Sequence, residues 1–241
     1  MSNVIITGAN RGIGLELSKT FMESGSTVYG CCRKPEEANQ FVDIANNSSG
    51  EGHLIQMDVT NSDNIINASK SLENIPIDVL INNAGAMFDN YGTAAYENVD
   101  DPDPKNYDYQ LWEETLRINL LAPTMVLGEF VQQLELSKKP KVIMMSSGLA
   151  SISNTWQAGR YAYRTSKVGL NMMVRSLGEW LETKGIIIIA ASPGWTVTDM
   201  GGPNAPNTVQ NSVSGMIKVI ESLTLKDTGK FLNYDGKEIP W

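Results

Sequence analysis

Short apolar runs separated by helix-period segments constrain this chain more than any other feature. "NVIIT" (3–7), "TVYGCC" (27–32), "HLIQMD" (53–58), "DVLIN" (78–82), "KVIMMSS" (141–147), "GIIIIAAS" (185–192) and "KFLNY" (230–234) read as strands. Several are apolar throughout rather than alternating, the pattern of strands covered on both faces. Helical periodicity fills 12–24, 36–46, 62–74, 109–136, 161–183 and 208–223. Such alternation predicts an α/β fold, a doubly wound, seven-stranded parallel sheet flanked by helices. No repeat or low-complexity linker divides residues 1–241, so a single domain is expected. Segments at about 88–109, 148–160 and 199–210 read as loops. They follow strand ends, the side on which such sheets bind ligands.

Charge and cysteine content narrow the partners. The net charge of −8 disfavours nucleic acid, which needs a concentrated basic face. Cys31 and Cys32 are neighbours with nothing else to pair with, which points to a reducing, cytoplasmic setting. Residues 1–8 lack the charged start and long apolar core of a secretory signal. No segment approaches the ~18 apolar residues of a membrane span. His53 has no ligand cluster around it, so no metal site is expected.

"TGANRGIG" (7–14) directly follows a strand and opens a helix. Gly8, Gly12 and Gly14 permit a tight turn and close approach of backbone N–H groups to a pyrophosphate. The helix N-terminus adds partial positive charge. A purely structural strand-to-helix turn is the alternative.

"RYAYRTSK" (160–167) holds two tyrosines and a lysine. Four residues turn a helix by about 400°, so Tyr163 and Lys167 share a face. Tyr161, about 600° from Lys167, lies on another and reads as a packing residue. A nearby ammonium favours phenolate, which makes a tyrosine a better general acid or base near neutral pH.

Further stretches follow in order: "INNAG" (81–85), "RINLLAP" (117–123), "MMSS" (144–147), "YRTSK" (163–167) and "SPGWTVTDM" (192–200). With "TGANRGIG" they resemble the short-chain dehydrogenase/reductase family across nearly the whole chain. "YAYRTSK", "PGWTVTDMGG" and "NYDGKEIPW" are most similar to its C-factor/Sniffer-type carbonyl reductase branch. The resemblance implies a Rossmann-type fold and an oxidoreductase that takes NADP(H). It also implies a catalytic tetrad of Asn119, Ser147, Tyr163 and Lys167. Ser147, the second serine of "MMSS", would bond the substrate oxygen, with Ser146 turned to the other side of the strand. The Ser147–Tyr163 gap of sixteen is longer than in many members and implies a longer loop between them. Asn119 would interrupt its helix and hold a water near Lys167 in a proton relay.

For the cofactor, the resemblance implies a lining of Gly8, Asn10, Arg11, Gly12, Ile13 and Gly14. It adds Asp58 and Val59 at the adenine, and Asn82, Ala84 and Gly85 on the adenosine side, where stabilising the sheet is the alternative role. Tyr163, Lys167, Pro193, Gly194, Val197 and Thr198 complete the set near the nicotinamide. Arg33 follows the second strand where an NAD site usually has a carboxylate, and it could fork onto a 2′-phosphate, with Arg11 in reach. Arg33 and Lys34 capping a strand on a wet surface is the alternative, as is a turn-forming role for Asp58. The expected reaction is NADPH-dependent reduction of a ketone or aldehyde carbonyl to an alcohol, reversible, with Tyr163 as general acid. A signalling or sensor protein of the C-factor type is the rival, although all four tetrad positions are filled. Tyr91, Trp156, Trp195 and Met200 could wall a pocket for a small-molecule carbonyl, or belong to the core. Relatives pair as homodimers or homotetramers through helices at 109–136 and 161–183.

Overall fold

The computed structural model describes residues 2–88, 103–155 and 158–241. Seven strands form one sheet: β1 Asn3–Thr7, β2 Thr27–Cys32, β3 Glu51–Gln56, β4 Val79–Asn82, β5 Lys141–Met145, β6 Ile187–Ser192 and β7 Phe231–Asn233. Their order is β3-β2-β1-β4-β5-β6-β7, and every neighbouring pair is parallel. The helices are α1 Gly12–Glu23, α2 Asn39–Asn47, α3 Ser62–Ser71, α4 Tyr109–Leu116, α5 Ala122–Glu135, α6 Tyr161–Glu182 and α7 Val209–Ser222.

The uniformly apolar runs are the doubly covered strands. Every residue of β6 is buried, and so is every residue of β4. Alternate residues of β1 feed two cores. Val4 and Ile6 pack with Leu17, Phe41 and Met216 on one face, while Ile5 packs with Ile65, Phe130 and Leu170 on the other. Strand β3 lies at the sheet edge and keeps exposed positions.

Several boundaries differ from the sequence reading. The segment 36–46 opens as a 3-10 turn, Pro35–Glu37, before α2. Strand β3 stops before Asp58, and β5 stops before both serines. The largest change falls on 109–136, which is not one helix. A π-turn over Arg117–Leu121 separates α4 from α5, and Ala122 N–H reaches back five residues to the Arg117 carbonyl. Residues 89–102 and 156–157 lie outside the described residues, and with them the expected pocket walls Tyr91 and Trp156.

The strand order reverses between β1 and β4: the chain adds β2 and β3 on one side of β1, then β4 to β7 on the other. Ligands of open α/β sheets bind beyond the strand ends at such a switch point. The glycine turn follows β1, "NNAG" ends β4, the serines follow β5 and "PG" follows β6. One fold-level fact therefore gathers all four motifs on one side of the sheet.

Candidate active site

The glycine turn is shaped for close approach. Gly8 (φ +68°) and Gly12 (φ +55°) adopt backbone that side chains disfavour. A Cβ on Gly12 would meet only the Thr198 methyl at 3.8 Å, so the space above it is open. A Cβ on Gly14 would lie 2.1 Å from the Gly8 carbonyl oxygen, so that glycine serves packing of turn against helix. Helix α1 has neither a side-chain cap nor an acidic residue in its first turn. Its terminal N–H groups thus suit an anion, and a nucleotide pyrophosphate fits this floor. Asn10 sits partly exposed on the turn, and Ile13 packs against the core.

Asn83, which the sequence reading passed over, braces this turn. Its Nδ2 donates to the carbonyls of Thr7 (2.9 Å) and Gly8 (3.2 Å). Buried Thr7 accepts the N–H groups of Asn83 and Ala84 on its hydroxyl. Asn82 packs on the sheet, the structural one of the two roles open to it from sequence. Its Nδ2 lies 3.3 Å from Met144 Sδ, opposite it in β5, and the residue is buried. It is the last residue of a doubly covered strand, so its side chain enters the sheet's packing. Ala84 and Gly85 stay partly exposed on the ligand side.

Beyond β2, Lys34 is tied to Glu37 at 2.6 Å, while Arg33 is exposed. Asp58 accepts both the N–H (2.9 Å) and the hydroxyl (2.7 Å) of Thr60, which is the turn-forming alternative. Burial pushes its carboxyl up, but the Thr60 bonds and the nearby Arg33 and Arg117 outweigh this and hold it below the usual range. Val59 packs against the core beside it.

The tetrad residues converge at the ends of β4 and β5. Tyr163 is 8% exposed, Lys167 4% and Asn119 0%. Lys167 Nζ donates to the Met145 carbonyl at 2.7 Å and lies 5.8 Å from the Tyr163 ring centre. Burial pushes its ammonium down to about 8. A Cβ on Gly85 would sit 3.2 Å from Asn119 Oδ1 and 3.6 Å from Lys167 Nζ, so this glycine makes room for both. Asn119 occupies the π-turn. Its Oδ1 accepts the Ala86 N–H (2.9 Å), and its Nδ2 donates to the Ala86 carbonyl (2.7 Å) and to Ser166 (3.0 Å). Both amide protons are engaged, so a water could be held only as a donor to Oδ1. Ser146 turns inward to Asn171 at 2.6 Å, and Ser147 faces the other way, partly exposed. The Ser147 hydroxyl accepts the Leu149 N–H at 3.2 Å, which leaves its proton available.

Ser192 joins the walls of the site. Its hydroxyl accepts the N–H groups of Gly148 (3.1 Å) and Gly194 (3.2 Å). Gly194 (φ +72°) is packed so closely that a Cβ would lie 2.7 Å from the Tyr234 ring. The Pro193 carbonyl takes the Ser212 hydroxyl at 2.6 Å. Exposed Val197 donates its N–H to Asn207, and the Thr198 hydroxyl accepts from Gly201. Trp195 and Met200 are exposed, so they are not core. Arg11, expected near a 2′-phosphate, pairs here with Asp199 from the β6–α7 loop. Among the described residues, no acidic, cysteine and histidine cluster could hold a metal, and no helix is long and apolar enough to cross a membrane.

Known proteins resemble this chain over most of its length. A family model described as short chain dehydrogenase matches residues 2–208. C-signal of Myxococcus xanthus is 37% identical over 166 residues, covering 69% of this chain and 93% of its own. The NADPH-bound carbonyl reductase from chicken fatty liver superposes with a TM-score of 0.88 at 31% identity, covering 100% of this chain and 99% of that one. The carbonyl reductase Sniffer of D. melanogaster also gives 0.88 at 31% identity, with both chains covered fully.

Proposed function

The chain belongs to the short-chain dehydrogenase family of oxidoreductases, and from that premise we propose that it reduces a ketone or aldehyde carbonyl with NADPH. The observation that carries this reading is the buried Lys167 held beside Tyr163 at the end of β5. NADPH, when bound, supplies the hydride.

The chain's own residues do the rest. Tyr163 donates the phenolic proton to the carbonyl oxygen, and Ser147 donates a hydrogen bond to the same oxygen. Lys167 resupplies the proton, and Asn119 holds the segment at Ala86 and Ser166 in place around it. A water that accepts from Lys167 Nζ and donates to Asn119 Oδ1 would link the lysine toward solvent. The uncapped N-terminus of α1 takes the pyrophosphate, and exposed Arg33 takes the 2′-phosphate. Arg11 can join it only by leaving Asp199. Trp195, Val197 and Met200 offer exposed apolar area to the substrate. Leu121, Met125 and Met172, exposed on the π-turn, α5 and α6, support pairing of two copies. Buried, unbridged Cys31 and Cys32 support a cytoplasmic setting.

A nucleotide-binding signalling protein is a second reading, favoured by the similarity to C-signal. Purified protein with a panel of ketones, aldehydes and quinones separates the two. Loss of NADPH absorbance that depends on the carbonyl supports the reductase. Tight NADPH binding without turnover on the whole panel supports the signalling protein.

A further inference from the structure

Tyr163 sits in the third position of α6, inside its first turn. The first N–H groups of a helix lack partners within it, and the usual remedy is a capping side chain. Arg160 precedes α6 in left-handed conformation (φ 52°) and makes no side-chain cap, and the first turn carries no acidic residue. The neighbouring helix reaches this turn through its carbonyls. Trp112 of α4 donates its indole N–H to Thr165 Oγ1 at 3.1 Å, and Thr165 Oγ1 donates to the Tyr161 carbonyl at 2.6 Å. One turn deeper, Asn119 Nδ2 donates to Ser166 Oγ at 3.0 Å, and Ser166 Oγ donates to the Tyr163 carbonyl at 2.7 Å. The Tyr161 ring adds contacts with Tyr107 (5.0 Å between centres) and Trp112 (6.3 Å).

We infer that Trp112 and Thr165 are positioning residues for the reaction, fixing the first turn of α6 so that Tyr163 meets the substrate oxygen. This rests on Tyr163 being the proton donor. A hydroxyl whose proton is directed by an incoming donor forms a stiffer bond than one free to rotate. The chain from Trp112 ends on the carbonyls of the two residues before Tyr163, Tyr161 at 2.6 Å and Ala162 at 3.2 Å. The ring stack also holds Tyr161, so Tyr161 serves α6 by packing and not by proton transfer.

The test compares Thr165→Val, Thr165→Ser and Trp112→Phe with the unaltered protein and with Tyr163→Phe. Val keeps the shape of Thr and removes the relay, Ser restores the hydroxyl, and Phe keeps a ring without the donor. Thr165→Val and Trp112→Phe should each lower kcat by roughly tenfold to a hundredfold, the cost of a small misplacement of a reacting group. NADPH affinity should hold, and Thr165→Ser should recover the rate. In a Tyr163→Phe background Thr165→Val should cost nothing further. Unchanged kcat in Thr165→Val and Trp112→Phe, with Tyr163→Phe inactive, overturns the inference and leaves the proton donor in place. A fall in NADPH affinity equal to the fall in rate also overturns it, because the effect would then be general. Full turnover by Tyr163→Phe removes the proton donor and the inference together.

Discussion

Lys167 Nζ is held between the Met145 carbonyl, 2.7 Å away, and the Tyr163 ring, 5.8 Å from its centre. The lysine is therefore placed by the end of β5 as much as by its own helix. Among the described residues no carboxylate compensates its burial, and desolvation pushes its ammonium down to about 8. Carbonyl reduction consumes a proton that the charged lysine resupplies. As pH rises through about 8, kcat/KM for reduction should fall, measured with substrate and NADPH across a buffer series.

The same burial gives a stability signature. Unfolded, Lys167 titrates near 10.5, so between about 8 and 10.5 the unfolded chain binds more protons than the folded one. Its contribution to unfolding free energy therefore rises with pH across that window, and the penalty for burying charge is fully present below about 8. Lys167→Met should abolish this rise, read from denaturant titrations at a series of pH values.

Arg33 should decide the cofactor. Losing hydrogen bonds to a charged group costs about 1.5–3 kcal/mol, so Arg33→Ala should weaken NADPH binding roughly tenfold to a hundredfold and leave NADH binding near its starting value. Equal loss for both nucleotides would place Arg33 on the bare surface as a strand cap. Arg11 and Asp199 are 67% and 81% exposed at their side chains, and such pairs hold weakly. Asp199→Asn should free Arg11 and tighten NADPH binding, checked by fluorescence titration.

Two glycines of the turn should fail for different reasons. Gly14→Ala drives a Cβ into the Gly8 backbone, and overpacking of that kind costs about 1–3 kcal/mol in thermal or denaturant unfolding. Gly12→Ala meets no backbone, but its left-handed φ of +55° costs about 1–2 kcal/mol, and the new methyl in the open space over the turn should lower nucleotide affinity as well.

Much of this was legible in the sequence, for physical reasons that differ by element. "IIIAAS" and "VLIN" announce buried strands because their apolar runs leave no alternating polar face for water. Helical phase separates Tyr163 from Tyr161 because the two lie on different faces of α6, and the structure gives Tyr161 aromatic neighbours. The π-turn was only half visible: an asparagine in "RINLL" suggested an interruption, but the five-residue return to Arg117 depends on Asn119 being drawn to Ala86 and Ser166. Adjacent asparagines in "NNAG" could not be ranked without knowing where β4 ends. Asn82 is the last strand residue and turns inward, so Asn83 takes the turn. The Arg11–Asp199 pair spans 188 positions, and no local pattern encodes it.

Proton donation by Tyr163 is the centre of the account, and single-turnover reduction by Tyr163→Phe tests it most directly. General acid catalysis contributes about 100- to 10,000-fold. The rate of NADPH oxidation with a reducible carbonyl should fall by that factor while NADPH affinity stays near that of the unaltered protein. A rate equal to that of the unaltered protein would contradict it.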